Sequence, residues 1–357
     1  MNAQRLEAVR TTMRKLRLDA MLVTFLPHVR YLCGFSGSNG LLLVTPEKQF
    51  FLSDGRYKVQ ASEEVKGFKI LIAKAASLFE ELKRNAMLRP RSRAGFEAAH
   101  LHVSELQNLK TFFPRTRFVA ASNLVEPLAS IKDESEIDLL RQAVSITDQV
   151  FGKLLTIIRE GVTELEVAAE ISYLQRTMGA ESDAFEPIVA SGVRGALPHA
   201  QATGKAIHKG ELVTLDFGCR FKGYHSDLTR TVALGTPDEK SRRIYSVVLA
   251  AQTAALEGTS AGMEARALDR IARSSIRKAG FGKFFNHSLG HGLGLQVHEM
   301  PRISARSTDA LQIRNVITIE PGVYIPGTGG VRIEDDVVVR EGRCEVLTTS
   351  PRELIVL

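Results

Sequence analysis

The chain has 357 residues, room for two domains at the usual ~100–200 residues each. Hydrophobic residues make up 44% and charged residues 24%, and no apolar run approaches the roughly 18 residues needed to cross a bilayer; a disordered polyelectrolyte and a helical membrane protein are both excluded. The net charge of +7 is uneven, with 20 Lys+Arg against 11 Asp+Glu in residues 1–130 and 27 against 29 in the rest. The basic runs at 13–17 and 83–93 lack interleaved aromatic residues, so they read as solvated faces and no nucleic-acid partner is expected. No apolar h-region or small-residue cleavage site opens the chain, and Cys33, Cys219 and Cys344 form no CxxC. Neither a disulfide framework nor a cysteine zinc site is expected, and a cytoplasmic location fits.

Leu6, Val9, Met13 and Leu16 open the chain at helical spacing. Short apolar runs at 20–24, 41–45, 68–72 and 117–120 then alternate with helical patterns at 76–88 and 103–113, which predicts a small α/β domain over 1–130. A long helix is expected from about Lys132, with an aspartate cap and early acids, then helices at 163–180, 238–258 and 263–279. Strand signals follow at 211–221, 224–234, 315–325, 330–339 and 344–350, so residues 131–357 read as an α+β domain built on antiparallel hairpins.

Three apolar strand signals carry acids where alternation predicts burial: Asp216 in VTLDFG, Glu320 in VITIEPG and Glu334 in VRIEDD. A buried carboxylate needs a partner or a cation. Asp216 and Asp227 flank the turn signal Lys222-Gly223, so a hairpin there would set them opposite or diagonal to each other. Glu320 and Glu334 flank PGVYIPGTGG in the same way, with Arg332 on the strand face of Glu334. Four clustered carboxylates repel one another unless cations neutralise them, and two divalent ions match their charge. His287, His291 and His298 lie together in HSLGHGLGLQVHE, and mixed nitrogen and oxygen donors suit manganese, cobalt, zinc or iron better than magnesium or calcium. His28, His100, His102, His208 and His225 have no such company in the sequence and read as ordinary surface or core residues. GHGLG opens no helix after a strand, and HEMPR lacks the second histidine of a zincin, so neither motif competes.

These motifs, with LPHA at 197–200 and VRYLCGFSGSNGLLLVT and FLSDGRY near the N-terminus, resemble the pita-bread metallopeptidases, specifically the Xaa-Pro group of aminopeptidase P and prolidase. The resemblance spans essentially the whole chain. It implies an N-terminal creatinase-like α/β domain (1–130), a catalytic α+β pita-bread domain (131–357) and a homodimer. It makes Asp216 a terminal ligand of one metal and His291 and Glu320 terminal ligands of the other, with Asp227 and Glu334 bridging; manganese leads cobalt, zinc and iron as the expected ion. Glu320 would also shuttle the proton, His298 and His199 would hold the oxyanion and substrate, and His287 would face the proline side. Arg332 would steady the Glu334 region and the active-site network in preference to binding substrate. The substrates implied are peptides with proline in second place, with aminopeptidase P favoured over a dipeptidase by the compact length and the run of N-terminal motifs. A metal-free creatinase, a methionine aminopeptidase and a non-enzymatic binding protein fit less well, because the full ligand set and the N-terminal motifs are present.

Overall fold

A computed structural model describes residues 2–357. The chain forms two compact units, 1–129 and 130–357. No helix among the described residues is long and apolar enough to cross a membrane.

The first unit is built on a six-stranded mixed sheet, in the order Lys69–Ile72, Gln49–Ser53, Leu41–Val44, Ala20–Val23, Arg93–Glu97, Arg117–Ala121. Ala20–Val23 pairs antiparallel with Leu41–Val44 and parallel with Arg93–Glu97. Both central strands, AMLV and LLLV, are buried at every position, as expected of a sheet covered on both faces. The opening helix, Asn2–Leu16, buries Leu6, Val9 and Met13, but Leu16 is exposed where the spacing had placed it on the apolar face. The helices Leu26–Cys33 and Lys58–Glu64 and the strands Gln49–Ser53 and Arg93–Glu97 carry no clear periodicity and were not expected from the sequence.

In the second unit every strand pair is antiparallel. The helix Glu134–Ile157 starts at Asp133, whose side chain accepts from the Glu136 backbone N–H while Glu136 reaches back to the Asp133 N–H. This reciprocal cap satisfies two otherwise orphaned donors. The helix buries Ile137, Leu140, Val144, Thr147, Phe151 and Leu154, a continuous stripe at three- and four-residue spacing. With Glu164–Thr177 it covers Leu212–Phe217 and Leu228–Ala233, while Glu239–Gly258 and Ala265–Lys278 cover Val316–Ile319 and Asp335–Val339.

Alternation within these strands creates the site. Val213, Leu215 and Phe217 face one core, and Ile317, Ile319, Val331 and Ile333 face the other. Strand side chains point alternately to opposite faces, so Thr214, Asp216, Thr229, Thr318, Glu320, Arg332 and Glu334 share the face turned away from the helices. The sequence signal 211–221 is split at Gly218, where a Cβ would lie 1.8 Å from the Ser226 carbonyl oxygen. Lys222 and Gly223 both have positive φ, 46° and 85°, the signature of a tight turn whose twist matches the strands it joins.

Candidate functional site: a buried carboxylate and histidine centre

Thr229 pairs with Asp216 across the Leu212–Phe217 and Leu228–Ala233 strands. Asp227 is two residues before Thr229, so it stands diagonal to Asp216, as the hairpin geometry predicts. Glu320 and Glu334 lie where two ladders meet: Ile319 pairs with Asp335 on one side and Gly322 with Arg332 on the other. Both hairpins deliver their acids to one place. Ligand atoms of Asp227, His291 and Glu334 all lie within 4.8 Å of one another, and His291 Nε2 is 3.6 Å from Asp227 Oδ2 and 3.5 Å from Glu320 Oε1.

The electrostatics of this cluster are unfavourable without a cation. Burial, then Glu334, pushes the Asp227 carboxyl well above its usual range, and the same causes raise Glu320. Burial and Asp216 raise Glu334 from 4.5 to about 8. Asp216 Oδ1 is buried with no hydrogen-bond partner. Orphaned acceptors and mutually repelling acids are the donor set that divalent ions satisfy, so the residues fit the expected metals.

His291 is prepared for ligation. Its Nδ1 lies 3.1 Å from the Gly292 carbonyl oxygen, which requires the proton on Nδ1 and leaves the Nε2 lone pair facing Asp227 and Glu320. Burial, then His298, lowers its pKa to about 4, so the ring is neutral. Its backbone is clasped: a Cβ at Gly290 would meet the Thr318 carbonyl oxygen at 2.0 Å, and one at Gly292 the Met300 oxygen at 2.1 Å.

Arg332 lies inside the acid cluster. Its guanidinium is buried and engages Asp216 Oδ2, Thr229 Oγ1 at 2.9 Å, the Pro198 carbonyl at 3.2 Å and Tyr324 Oη at 2.7 Å. Glu334 is reached only through Thr229, whose hydroxyl accepts from Arg332 Nε and donates to Glu334 Oε2 at 2.7 Å. All of its bonding goes to the protein, because an uncompensated guanidinium is costly at this depth.

His287 is tied at both ring nitrogens. Its Nδ1 is 2.8 Å from the Ser288 carbonyl and its Nε2 2.9 Å from Tyr324 Oη. Since Tyr324 accepts from Arg332, its own proton is free to go to His287 Nε2, and a single chain of donors fixes the neutral tautomer. Burial, then Arg332, holds its pKa down at about 3. Both ring nitrogens are thus occupied by protein groups.

His298 packs edge-on against His291, with ring centroids 4.3 Å apart, and is exposed, as is His199. Burial, then the neighbouring His199, lowers the His298 pKa. These two face the open side of the centre. Beside His287 lies a cavity of about 650 Å³ whose lining includes Arg273, Arg302 and Arg306. Arg273 is committed to Asp269 and to the Phe285 and His287 carbonyls, whereas Arg302 and Arg306 are exposed and enter no side-chain ion pair among the described residues.

Sequence reasoning missed Thr229, Tyr324 and Asp336. Asp336 accepts from the Asp227 backbone N–H at 2.9 Å and is fully buried, which drives its carboxyl well above the usual range. The run of acids in VRIEDDVVV was its only signal.

An α/β unit followed by an antiparallel unit with this centre has the organisation of a two-domain metal-dependent hydrolase. The model of metallopeptidase family M24 matches residues 138–341, and that of the Creatinase/Prolidase N-terminal domain matches residues 5–131. The chain belongs to family M24, with the creatinase-type α/β domain followed by the pita-bread domain. It is 39% identical over 354 residues to the Xaa-Pro dipeptidase of Pyrococcus furiosus, covering 99% of each chain. Among solved structures it resembles a Xaa-Pro dipeptidase from Bacillus anthracis (TM-score 0.97, 41% identity, 100% of both chains) and an X-Pro aminopeptidase from Thermotoga maritima (TM-score 0.90, 37% identity, 97% of this chain and 100% of that one). The balance of these names favours the dipeptidase over the aminopeptidase that the compact length and the N-terminal motifs had suggested, and gives no support to a non-enzymatic protein.

Proposed function

We propose that the chain is a Xaa-Pro dipeptidase whose Asp216, Asp227, His291, Glu320 and Glu334 hold two divalent metal ions, manganese foremost. On the pattern of the Xaa-Pro group, Asp216 would serve one ion, His291 and Glu320 the other, and Asp227 and Glu334 would be shared between them. When bound, such an ion pair supplies a water of lowered pKa and polarises the carbonyl that precedes proline.

The remaining work falls to the protein. Glu320, the non-bridging acid beside His291, takes the proton released at the nucleophile and returns it to the imide nitrogen, which must be protonated before it leaves. His298 and His199, on the open side, orient the substrate and stabilise the developing oxyanion. Arg332 is a positioning residue, holding Asp216 directly and Glu334 through Thr229. His287, kept neutral by burial and the nearby Arg332, completes the wall between the acids and the arginine-lined cavity. A dimer, implied by the resemblance to the Xaa-Pro group, is the assembly expected in solution.

The observation that carries the dipeptidase reading is the pair of unpaired guanidiniums, Arg302 and Arg306, at the cavity beside His287. A dipeptide presents a free carboxylate just beyond proline, and planar guanidinium donors match it; a longer peptide presents a neutral amide there. The test compares a Xaa-Pro dipeptide with the same sequence extended by several residues, using metal-stripped enzyme resupplied with manganese. Cleavage of the dipeptide alone is expected. Equal cleavage of both would make the enzyme an aminopeptidase, and cleavage of neither under any divalent ion would remove the peptidase assignment.

A further inference from the structure

The first unit contains a second convergence of metal-binding groups, remote in sequence from the acids described above. His28 on the helix Leu26–Cys33, His100 after the strand Arg93–Glu97, and Glu126 at the start of Glu126–Ala129 bring one ligand atom each within 4.8 Å of the others. The three segments are separated by 72 and 26 residues. His100 Nε2 lies 3.6 Å from Glu126 Oε1, close to the roughly 3.3 Å that separates two ligands on a tetrahedral ion with bonds of about 2.0–2.1 Å.

The surroundings are those of a prepared ligand set. His28 is buried, and its Nδ1 is 2.5 Å from Glu97 Oε1. Glu97 is itself fixed by the backbone N–H groups of Thr24 and Phe25, at 2.7 and 2.9 Å, through its other oxygen. A carboxylate behind one imidazole nitrogen sets the tautomer and raises the basicity of the other, the arrangement found behind metal-ligating histidines. Nε2 of His28 makes no hydrogen bond among the described residues. The His100 ring is stacked on Phe25, with centroids 3.7 Å apart and planes 4° from parallel, and stands edge-on to His28. The rings are therefore held in place rather than free to turn.

We propose that His28, His100 and Glu126 form a third metal site, selective for a divalent ion of the zinc class and serving as a structural tie. Two imidazoles and one carboxylate suit zinc or cobalt better than the oxygen-preferring magnesium or calcium. His100 and Glu126 each keep about a fifth of their side-chain surface exposed, so an ion has a route in and a water can complete the fourth position. Such an ion clamps the helix Leu26–Cys33 to the connection at His100 and to the start of Glu126–Ala129, and closing long loops in this way adds directly to folding stability.

The test uses the full chain, stripped of metal, saturated with Zn²⁺ and freed of unbound ion, with bound zinc counted by mass spectrometry. The double variant His100→Ala/Glu126→Gln is expected to hold one equivalent less than the parent chain, to keep its Xaa-Pro cleavage rate, and to lose a Zn²⁺-dependent rise in the melting temperature of the first unit. The difference between parent and variant is what counts, so the result stands whatever the acid cluster of the second unit binds. Equal zinc content in two folded proteins overturns the site. Should the double variant misfold, His100→Gln alone replaces it, and a wild-type melting curve indifferent to Zn²⁺ at the first unit refutes the tie independently.

Discussion

Thr229→Val removes one hydroxyl and almost no volume, at a position with no solvent exposure. That hydroxyl joins two side chains of the centre, accepting from Arg332 at 2.9 Å and donating to Glu334 at 2.7 Å. Without metal Glu334 is protonated at neutral pH, so the bond to it contributes about 0.5–1.5 kcal/mol and the one from the charged guanidinium about 1.5–3 kcal/mol; losing both costs roughly 2–4.5 kcal/mol, offset by about 1 kcal/mol from the methyl group that takes the place of the hydroxyl. The metal-free variant should unfold roughly 1–3.5 kcal/mol more easily. Glu334, freed from its only side-chain donor, should also hold metal less well, and losing such an outer partner weakens binding by about 10–100-fold. Urea denaturation of the stripped protein and manganese titration followed by electron paramagnetic resonance read the two effects separately. An unchanged unfolding midpoint together with unchanged manganese affinity would refute the relay.

The stability of the metal-free chain should fall between about pH 6.5 and 8. Glu334 carries a raised pKa of about 8, so its stabilising proton is fully present below its unfolded value of 4.5 and is lost as pH climbs through 8; His287 and His291, depressed to about 3 and 4, act in the opposite sense only below 6.5. One such proton over that window is worth about 2 kcal/mol, and thermal melts that stay level or rise across it without metal, or keep the slope after manganese is added, would contradict the account. Arg302→Ala should raise KM for Xaa-Pro dipeptides roughly tenfold or more, as loss of a charge-assisted contact does, and leave the same dipeptides with amidated C-termini unaffected; equal effects on both would take Arg302 out of carboxylate recognition. Asp227→Asn should abolish manganese binding along with turnover, and a variant that retains two ions at wild-type affinity would sink the bridging assignment.

The buried acids were legible because strand alternation is strict. A carboxylate among Val, Ile and Leu has no ordinary place, and the turns at Lys222-Gly223 and 325–329 fixed which acids meet. One cap was legible for a similar reason: Asp133 precedes its helix and accepts from its third N–H, and in the structure Thr163 and Asp238 do the same for theirs. What pattern could not supply was contact between segments without a shared ladder. Tyr324 is an unremarkable aromatic in a strand until the fold sets its hydroxyl between Arg332 and His287. Arg332 was expected near Glu334 from its same-face spacing, yet its guanidinium reaches across to Asp216 on another strand. His28 and His100 looked like ordinary residues because nothing local shows that a helix and a distant connection converge.

The two glycines around His291 have a consequence for how this protein can vary. Backbone carbonyls press on both positions so closely that any side chain at 290 or 292 would displace the strand. The strand that carries the imidazole is therefore located largely by main chain, with the Thr318 hydroxyl accepting from the His291 N–H at 3.2 Å, and exposed neighbours can be exchanged to alter metal preference or substrate range without displacing it. In a mutational survey, Gly290→Ala or Gly292→Ala should behave like loss of the histidine itself, although neither glycine offers an atom to the chemistry. A directed-evolution library aimed at this centre would do best to leave the pair fixed and diversify the exposed rim at His199, His298 and Arg302.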